Sequence, residues 1–542
     1  MIEIDDFTQY HHTLLEGVYD CIDRIVVNGY FPLGQEGGGL RTWWKKLTGS
    51  DASLDTTHLK RMAGSFSRRI HAYAKKKAIP LIHCTPGVRK HELAEEYLPA
   101  DPHVTGVFLI IVAKAPGLVW EVKKRKNNIH LQRKKPWPYV NHYHFHIIDR
   151  EWGHLTIKMS GHPPFNVQIM LNGHEWVERQ ARKKTVSLVK EGNCFVGGSD
   201  FMTLGHIADT LGDHHLIGRL ARVCDRWVYS SCLCFALDTE EQRASEFHYR
   251  YSCYQLEYSR NLLFERGTML DRVYQGCIDR TRRVLDVKKF KTIFGWKYRP
   301  HHRTTRCERI LDASQYDLTV FKITCGKLSL KMYDKGDRVL RIEAIAHNVK
   351  DLRCGKRLEK LPDMLAKLKR MAFEFLNVIC AAHISYLDAG ILEDLPKPTQ
   401  RGTRRLAGVD LQKPRIRSVT EAVLSLAVQP DGFTIKDLVQ KVSLLNPGST
   451  YTPRHASYDL LKLRGKELAE PIANSRRYRC PPSAIRILAG TFILSEKVIK
   501  PILSGVCTKR LGRPKTIHPI DGRYDAVRRE MFTLLQELNL AA

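Results

Sequence analysis

Three observations predict an α+β fold for this chain. Alternating apolar and polar runs read as strands, apolar residues at helical spacing fill the intervals, and one strand-turn-strand pattern occurs twice. Gly153-His-Leu-Thr-Ile-Lys-Met159 matches Gly326-Lys-Leu-Ser-Leu-Lys-Met332. Each run is followed by a polar turn and a second apolar strand, Val167–Leu171 in one and Val339–Glu343 in the other, and then by Val177 or Val349 at the same spacing. Alternation marks half-buried strands, and the short turn makes each pair a hairpin.

The repetition predicts two related α+β halves, residues 1–235 and 236–394, with extra basic material in the first near 100–140. Each half opens on a strand bearing a carboxylate, Asp20–Val27 with Asp23 and Tyr254–Tyr258 with Glu257. Leu59, Met62, Ala63 and Phe66 recur at helical spacing within 57–76, and a second helix is expected over 361–385. Proline, glycine and positive charge over Pro396–Arg405 read as a basic linker, 395–417.

Residues 418–486 read as a small separate unit. An apolar helix over Val419–Val428 is followed by a turn at Pro430-Asp-Gly432, and Thr434 with Asp437 forms a capping box for a second helix. Thr452 and Pro453 are N-cap and N1 residues of a third, which runs through Arg464 to Gly465. Two short strands around Ser475–Arg479 follow. Helix, helix, helix, basic hairpin is the order of a winged helix-turn-helix. Residues 487–542 form a helical C-terminal extension, with a basic loop at Lys509–Lys515.

Charge points to a polyanionic partner. Lys and Arg number 87 against 57 Asp and Glu, a net +30, while 43% hydrophobic and 27% charged residues give the balance of a folded chain. The longest apolar run, Val107–Ala113, is far short of the ~20 residues a membrane span needs, so no membrane partner is expected. The start Met1-Ile-Glu-Ile-Asp-Asp6 is acidic and unlike an export signal, which predicts a cytoplasmic address. Fourteen cysteines without a Cys-x-x-Cys predict reduced thiols.

Where that charge would act is suggested by the third helix. Ala456, Leu460 and Leu463 make its core stripe, leaving Arg454, His455, Lys462 and Arg464 for phosphates and base edges in a major groove. Arg476, Arg477 and Arg479 fall on the wing. A second cluster, Lys123, Lys124, Arg125 and Lys126 with Arg133-Lys-Lys135, is interleaved with Trp120, His130 and Trp137, a composition suited to tracking a backbone and stacking an unpaired base. Arg513 sits in Leu511-Gly-Arg-Pro-Lys515, reminiscent of the Gly-Arg-Pro core of AT-hooks. The alternative is a solvated basic surface or a protein-contact domain.

A catalytic arrangement is also legible. Pairing of the second hairpin puts Lys331, Tyr333, Arg341 and Glu343 on one sheet surface, where the first repeat has Ile169 and Leu171 in place of Arg341 and Glu343. A carboxylate can hold a divalent ion such as Mg or Mn, a cation can stabilise charge on phosphate, and a tyrosine can attack phosphorus. Asp23 and Glu257 are candidates to complete a metal site with Glu343. The bland reading is an ordinary face with cross-strand ion pairs.

The run Lys331-Met-Tyr-Asp-Lys335 with Val339-Leu-Arg-Ile-Glu343 resembles the strand pair of plasmid and phage rolling-circle replication initiators. That resemblance implies tyrosine-dependent, metal-assisted nicking and joining of DNA, although the initiators' tyrosine motif is not clearly matched. The layout of Cys21-Ile-Asp-Arg24, Asn172-Gly-His174, Leu340–Glu343 and a C-terminal winged helix also resembles an uncharacterised bacterial family.

A rival metal site is His142-Tyr-His144-Phe-His146, whose alternation puts three imidazoles on one face, with Tyr254 and Tyr258 at Tyr-x-x-x-Tyr spacing. No phosphate-binding Gly-x-x-x-x-Gly-Lys-Ser/Thr, His-Glu-x-x-His or Gly-x-Ser-x-Gly occurs, which disfavours an NTPase, zincin or serine hydrolase. The expected protein is thus a DNA-binding replication or nicking protein of a mobile element. The alternatives are a non-enzymatic winged-helix regulator or accessory factor, and an RNA-binding protein.

Overall fold

The computed structural model describes residues 5–281, 319–383, 393–499 and 519–537, apart from short gaps at 102–103, 126–127, 326, 336, 402, 428, 430–431, 449 and 474. Arg513 and Lys126 therefore lie outside the described residues, as do the side chains of Lys124 and Arg125.

The α+β expectation holds. One mixed sheet is built from β1 (Leu15–Tyr30), β2 (Leu81–His83), β3 (Gly106–Pro116), β6 (Tyr139–Asp149), β7 (Gly153–Ser160), β8 (Val167–Leu171), β11 (Arg250–Phe264), β12 (Thr319–Cys325), β13 (Leu328–Lys335) and β14 (Val339–Ala346). Their order is β12-β13-β14-β11-β1-β8-β7-β6-β3-β2. Small hairpins pair β4 (Trp120–Arg125) with β5 (Asn128–Arg133), and β9 (Leu188–Glu191) with β10 (Cys194–Gly198). Strands of both expected halves thus lie in one sheet. The hairpin β7–β8 flanks β1, and β13–β14 flanks β11.

Residues 15–265 and 324–369 form one compact unit. On one face of its sheet Tyr143, Phe145, Ile147, Ile157 and Ile169 are buried. Helix Thr56–Lys77 covers part of that face, with Phe66 edge-on to Tyr143 at 5.1 Å between centroids. Asp55 caps the helix, accepting from the His58 amide.

The other face is polar, and cross-strand pairing traces it from strand to strand. Directly opposed residues share a face. Lys331 opposes Glu343, and Glu343 opposes Ser259. Two residues along β11, Glu257 opposes Arg24; two steps of alternation along β1 lead to Asn28, then across to Gln168, Lys158 and His144. A bulge in β1 between Ile22 and Arg24 sets Asp23 and Arg24 both against β11. Asp23 there meets Ser259, and Arg24 meets Glu257.

A second unit holds most of the remaining described residues. In it the helices Pro414–Leu426, Ile435–Leu445 and Pro453–Gly465 are followed by the hairpin Glu470–Pro471 with Tyr478–Arg479, then by helix Pro482–Ile493. Thr434 with Asp437 and Thr452 with His455 make capping boxes. The segment expected as a linker contains the hairpin Thr399–Arg401 with Arg404–Leu406, and the helix Pro414–Leu426 begins inside it. No described helix is long and apolar enough to cross a membrane.

Candidate functional site

Pairing in β13–β14 brings the four sequence-predicted residues together. Lys331 opposes Glu343 and Tyr333 opposes Arg341. The Lys331 ammonium donates to Glu343 Oε2 at 3.1 Å, the Tyr333 hydroxyl donates to Oε1, and Arg341 Nε donates to the same Oε1 at 3.2 Å. Arg341 also reaches across β11 to β1, where its Nη2 lies 2.5 Å from Asp23 Oδ2. One buried guanidinium therefore joins two carboxylates.

Three further residues complete the cluster. Ser259 donates to Asp23 Oδ1 at 2.8 Å, His174 Nδ1 lies 3.3 Å from that oxygen, and Asn193 accepts from Arg341 Nη1 through its carbonyl at 2.7 Å. Asn193 joins β9 to β10, and its side chain accepts from Lys335 at 2.8 Å, so this small hairpin is tied to the sheet over the cluster. His174 stands at the start of helix Gly173–Lys183, capped by Asn172. Arg341, Ser259 and His174 are wholly buried; Lys331 and Glu343 retain 20% and 11% side-chain exposure.

Burial and charge push the two carboxyls apart. Burial raises Asp23 to about 7 against the opposing pull of Arg341. Burial opposes ionisation of Glu343 too, but Arg341 and Lys331 overcome it and hold that carboxyl down to about 2. Burial pushes the Tyr333 phenol well above its ordinary value, and burial with Arg341 keeps His174 neutral. The result is an ionised Glu343 beside a buried phenol, with one guanidinium engaging both Glu343 and Asp23.

The expected metal ligands do not gather into one three-ligand site among the described residues, where no group of three His, Cys, Asp or Glu side chains stands at metal-holding spacing. Asp23 and Glu343 are both engaged by Arg341, whereas Glu257 accepts from Gln255 at 2.6 Å and pairs with Arg24 at 3.6 Å. A cation already occupies the place between the carboxylates, so this donor set does not fit a divalent ion. His142, His144 and His146 do share a sheet face but form no such group either, because alternate strand residues lie about 7 Å apart. They are buried, and burial lowers them to about 4, 2 and 3 respectively. His146 instead meets His154, Nδ1 to Nε2 at 3.0 Å. Tyr254 and Tyr258 lie on strand β11, the first exposed and the second buried.

In the second unit Ala456, Leu460 and Leu463 are buried, and Arg454, His455, Arg476 and Arg479 are exposed. Arg479 pairs with Glu470. Arg477 is half-buried and donates to the Gly432 carbonyl at 2.6 Å, while the half-buried Arg464 lies 5.9 Å from the Tyr478 ring. Lys462 requires correction: it is buried, 3.4 Å from Asp459 and over the Tyr458 ring, because the inaccessible Asp459 carboxylate draws it inward.

The basic stretch near 120–137 is a hairpin, with Lys123 exposed on β4. Trp120 cannot serve for stacking, since it is buried and donates to the Gly34 carbonyl at 3.1 Å; Trp137 is 51% exposed. Trp137 lines a cleft of about 720 Å³ on the polar sheet face, with Lys158, Lys356 and Arg357, none of which the sequence singled out. His174, Ser259 and Asn193 were likewise not singled out as site residues; His174 entered only as part of the Asn172-Gly-His174 run in the family resemblance.

In comparisons with known proteins, the chain matches no family model, no curated protein and no solved structure.

Proposed function

We propose that this chain is a DNA-binding protein whose residues 418–486 act as a winged helix-turn-helix. The observation that carries this reading is the division of helix Pro453–Gly465 into a buried stripe, Ala456, Leu460 and Leu463, and an exposed N-terminal end bearing Arg454 and His455, followed by a hairpin with exposed Arg476 and Arg479. A helix N-terminal end entering a major groove with an arginine-bearing wing on the flanking backbone fits that pattern. The net charge of +30 supplies the electrostatic attraction. The flanking of β1 and β11 by equivalent hairpins supports relatedness of the two halves of the sheet.

Titration of a labelled duplex at several salt concentrations tests the proposal. Arg454→Ala and Arg476→Ala should each weaken binding and lower the salt slope by about one, the value of a single neutralised phosphate. Unchanged affinity and slope in the double variant would refute it.

A second reading, that the chain also nicks DNA through Tyr333, rests on the hydrogen bond from its hydroxyl to the ionised Glu343 and requires the buried pair to be uncovered for the strand. It requires a covalent protein–DNA adduct that Tyr333→Phe abolishes. Supercoiled plasmid left intact by the unmodified protein would count against it.

A further inference from the structure

The cleft on the polar sheet face is charged in one sense. Arg133, Lys158, Lys356 and Arg357 line it, and no aspartate or glutamate does among the described residues. Lys158 projects from the middle of β7, between Gln168 and His144 on neighbouring strands, and forms no ion pair with a carboxylate among the described residues. Its ammonium is made easier to deprotonate by burial and by Lys90. Cations gathered without counter-charge repel one another and lose hydration, so the arrangement favours an anion brought from outside.

The rest of the lining narrows the anion's class. Trp137 presents an indole that is 51% exposed, a flat π-face open to a ring stacked on it. On the floor, Gln168 donates to Asn28 Oδ1 at 3.0 Å, and an amide pair joined by one hydrogen bond retains donor and acceptor capacity. A platform for a π-face, amides for a base edge and cations for phosphate are the elements by which unstacked bases are held. The volume, about 720 Å³, is that of a small-ligand site. A base stacked and paired inside a duplex cannot enter without being flipped out.

We infer that this cleft binds an unpaired nucleotide of a single-stranded polynucleotide, with Lys158 and Arg357 on phosphate and Trp137 stacked on the base. The inference rests on the nucleic-acid-binding reading above and assigns to the sheet face a strand type different from the duplex assigned to residues 418–486.

Fluorescence anisotropy of the full chain with labelled oligo(dT), oligo(U) and a duplex tests it, the first two probes separating DNA from RNA as the source of the strand. Trp137→Ala, at an exposed position, should weaken binding to the preferred single strand by roughly tenfold, the scale of one base–aromatic stack, and leave duplex affinity unchanged. Lys158→Met should act in the same direction and flatten the salt dependence. Duplex binding without single-strand binding would overturn this inference alone. Normal single-strand binding by Trp137→Ala, or equal weakening for strand and duplex, would overturn it as well. Failure of the unmodified chain to bind any of the three probes would sink both readings together.

Discussion

Arg341 and Asp23 are 318 residues apart in sequence and lie on strands separated by β11, yet the guanidinium Nη2 stands 2.5 Å from the carboxylate Oδ2 in a site closed to solvent. The same guanidinium bonds Glu343 and the Asn193 carbonyl. Removing it strands two carboxyls in a dry site. Arg341→Met should therefore destabilise the unit by roughly 3–5 kcal/mol, and adding Asp23→Asn should recover part of that loss. Urea unfolding midpoints of the single and double variants check it, and additive losses would contradict the coupling.

Lys331 approaches the same cluster from its partly exposed edge. Lys331→Met should cost less than the buried Arg341 change, about 1 kcal/mol, because solvent screens the pair and Arg341 still neutralises Glu343. A loss as large as that of Arg341→Met would show that Lys331 governs the charge balance.

Acid stability should be set by the sheet histidines. His142 and His154 are lowered by burial to about 4 and His146 to about 3, against about 6.5 when unfolded. Each binds a proton in the unfolded chain first, so its contribution is present above about 6.5 and is lost as pH falls toward its folded value, by up to about 1.4 kcal/mol per pH unit. Asp23 works in the opposite sense, since a carboxyl raised to about 7 contributes below about 4 and that contribution is lost as pH rises through 7. Stability should rise from pH 4 to 6.5, and Asp23→Asn should steepen the rise. Denaturant melts across that range measure both slopes.

Asp459 holds the C-terminal helices together. It accepts from Arg415 at 2.9 Å and from the Tyr451 hydroxyl at 3.3 Å, and it pairs with the buried Lys462. Asp459→Ala should destabilise this unit by roughly 3 kcal/mol, whereas Asp459→Ala with Lys462→Met should restore much of the loss. Thermal melts of the two variants decide the matter.

Gly432 adopts a φ of +68°, and a Cβ there would strike the Tyr478 carbonyl and the Ile472 side chain. Gly432→Ala should loosen the hairpin that carries Arg476 and Arg479, at a cost of about 2 kcal/mol. Hydrogen exchange at Phe433 and Tyr478, whose amides bond each other's carbonyls at 2.8 Å, should accelerate before exchange elsewhere in the unit.

What the sequence determined by itself was local. Alternation placed Lys331, Tyr333, Arg341 and Glu343 on one surface because hairpin register depends on neighbours a few residues away. Capping chemistry located the starts of the helices at Thr434 and Thr452 for the same reason. Tertiary structure decided which of those side chains are dry, and what they meet. Asp23 reaches Arg341 through a strand bulge, His174 arrives from a helix start, and Asn193 comes from a separate hairpin. Lys462 looked solvent-facing by helical spacing alone, yet a buried aspartate one turn away draws it inward. The basic cleft gathers Asn28, Trp137, Lys158 and Arg357 from widely separated strands and loops. Periodicity reports the face a side chain takes within its own element, whereas burial and charge pairing depend on which distant element is folded over that face.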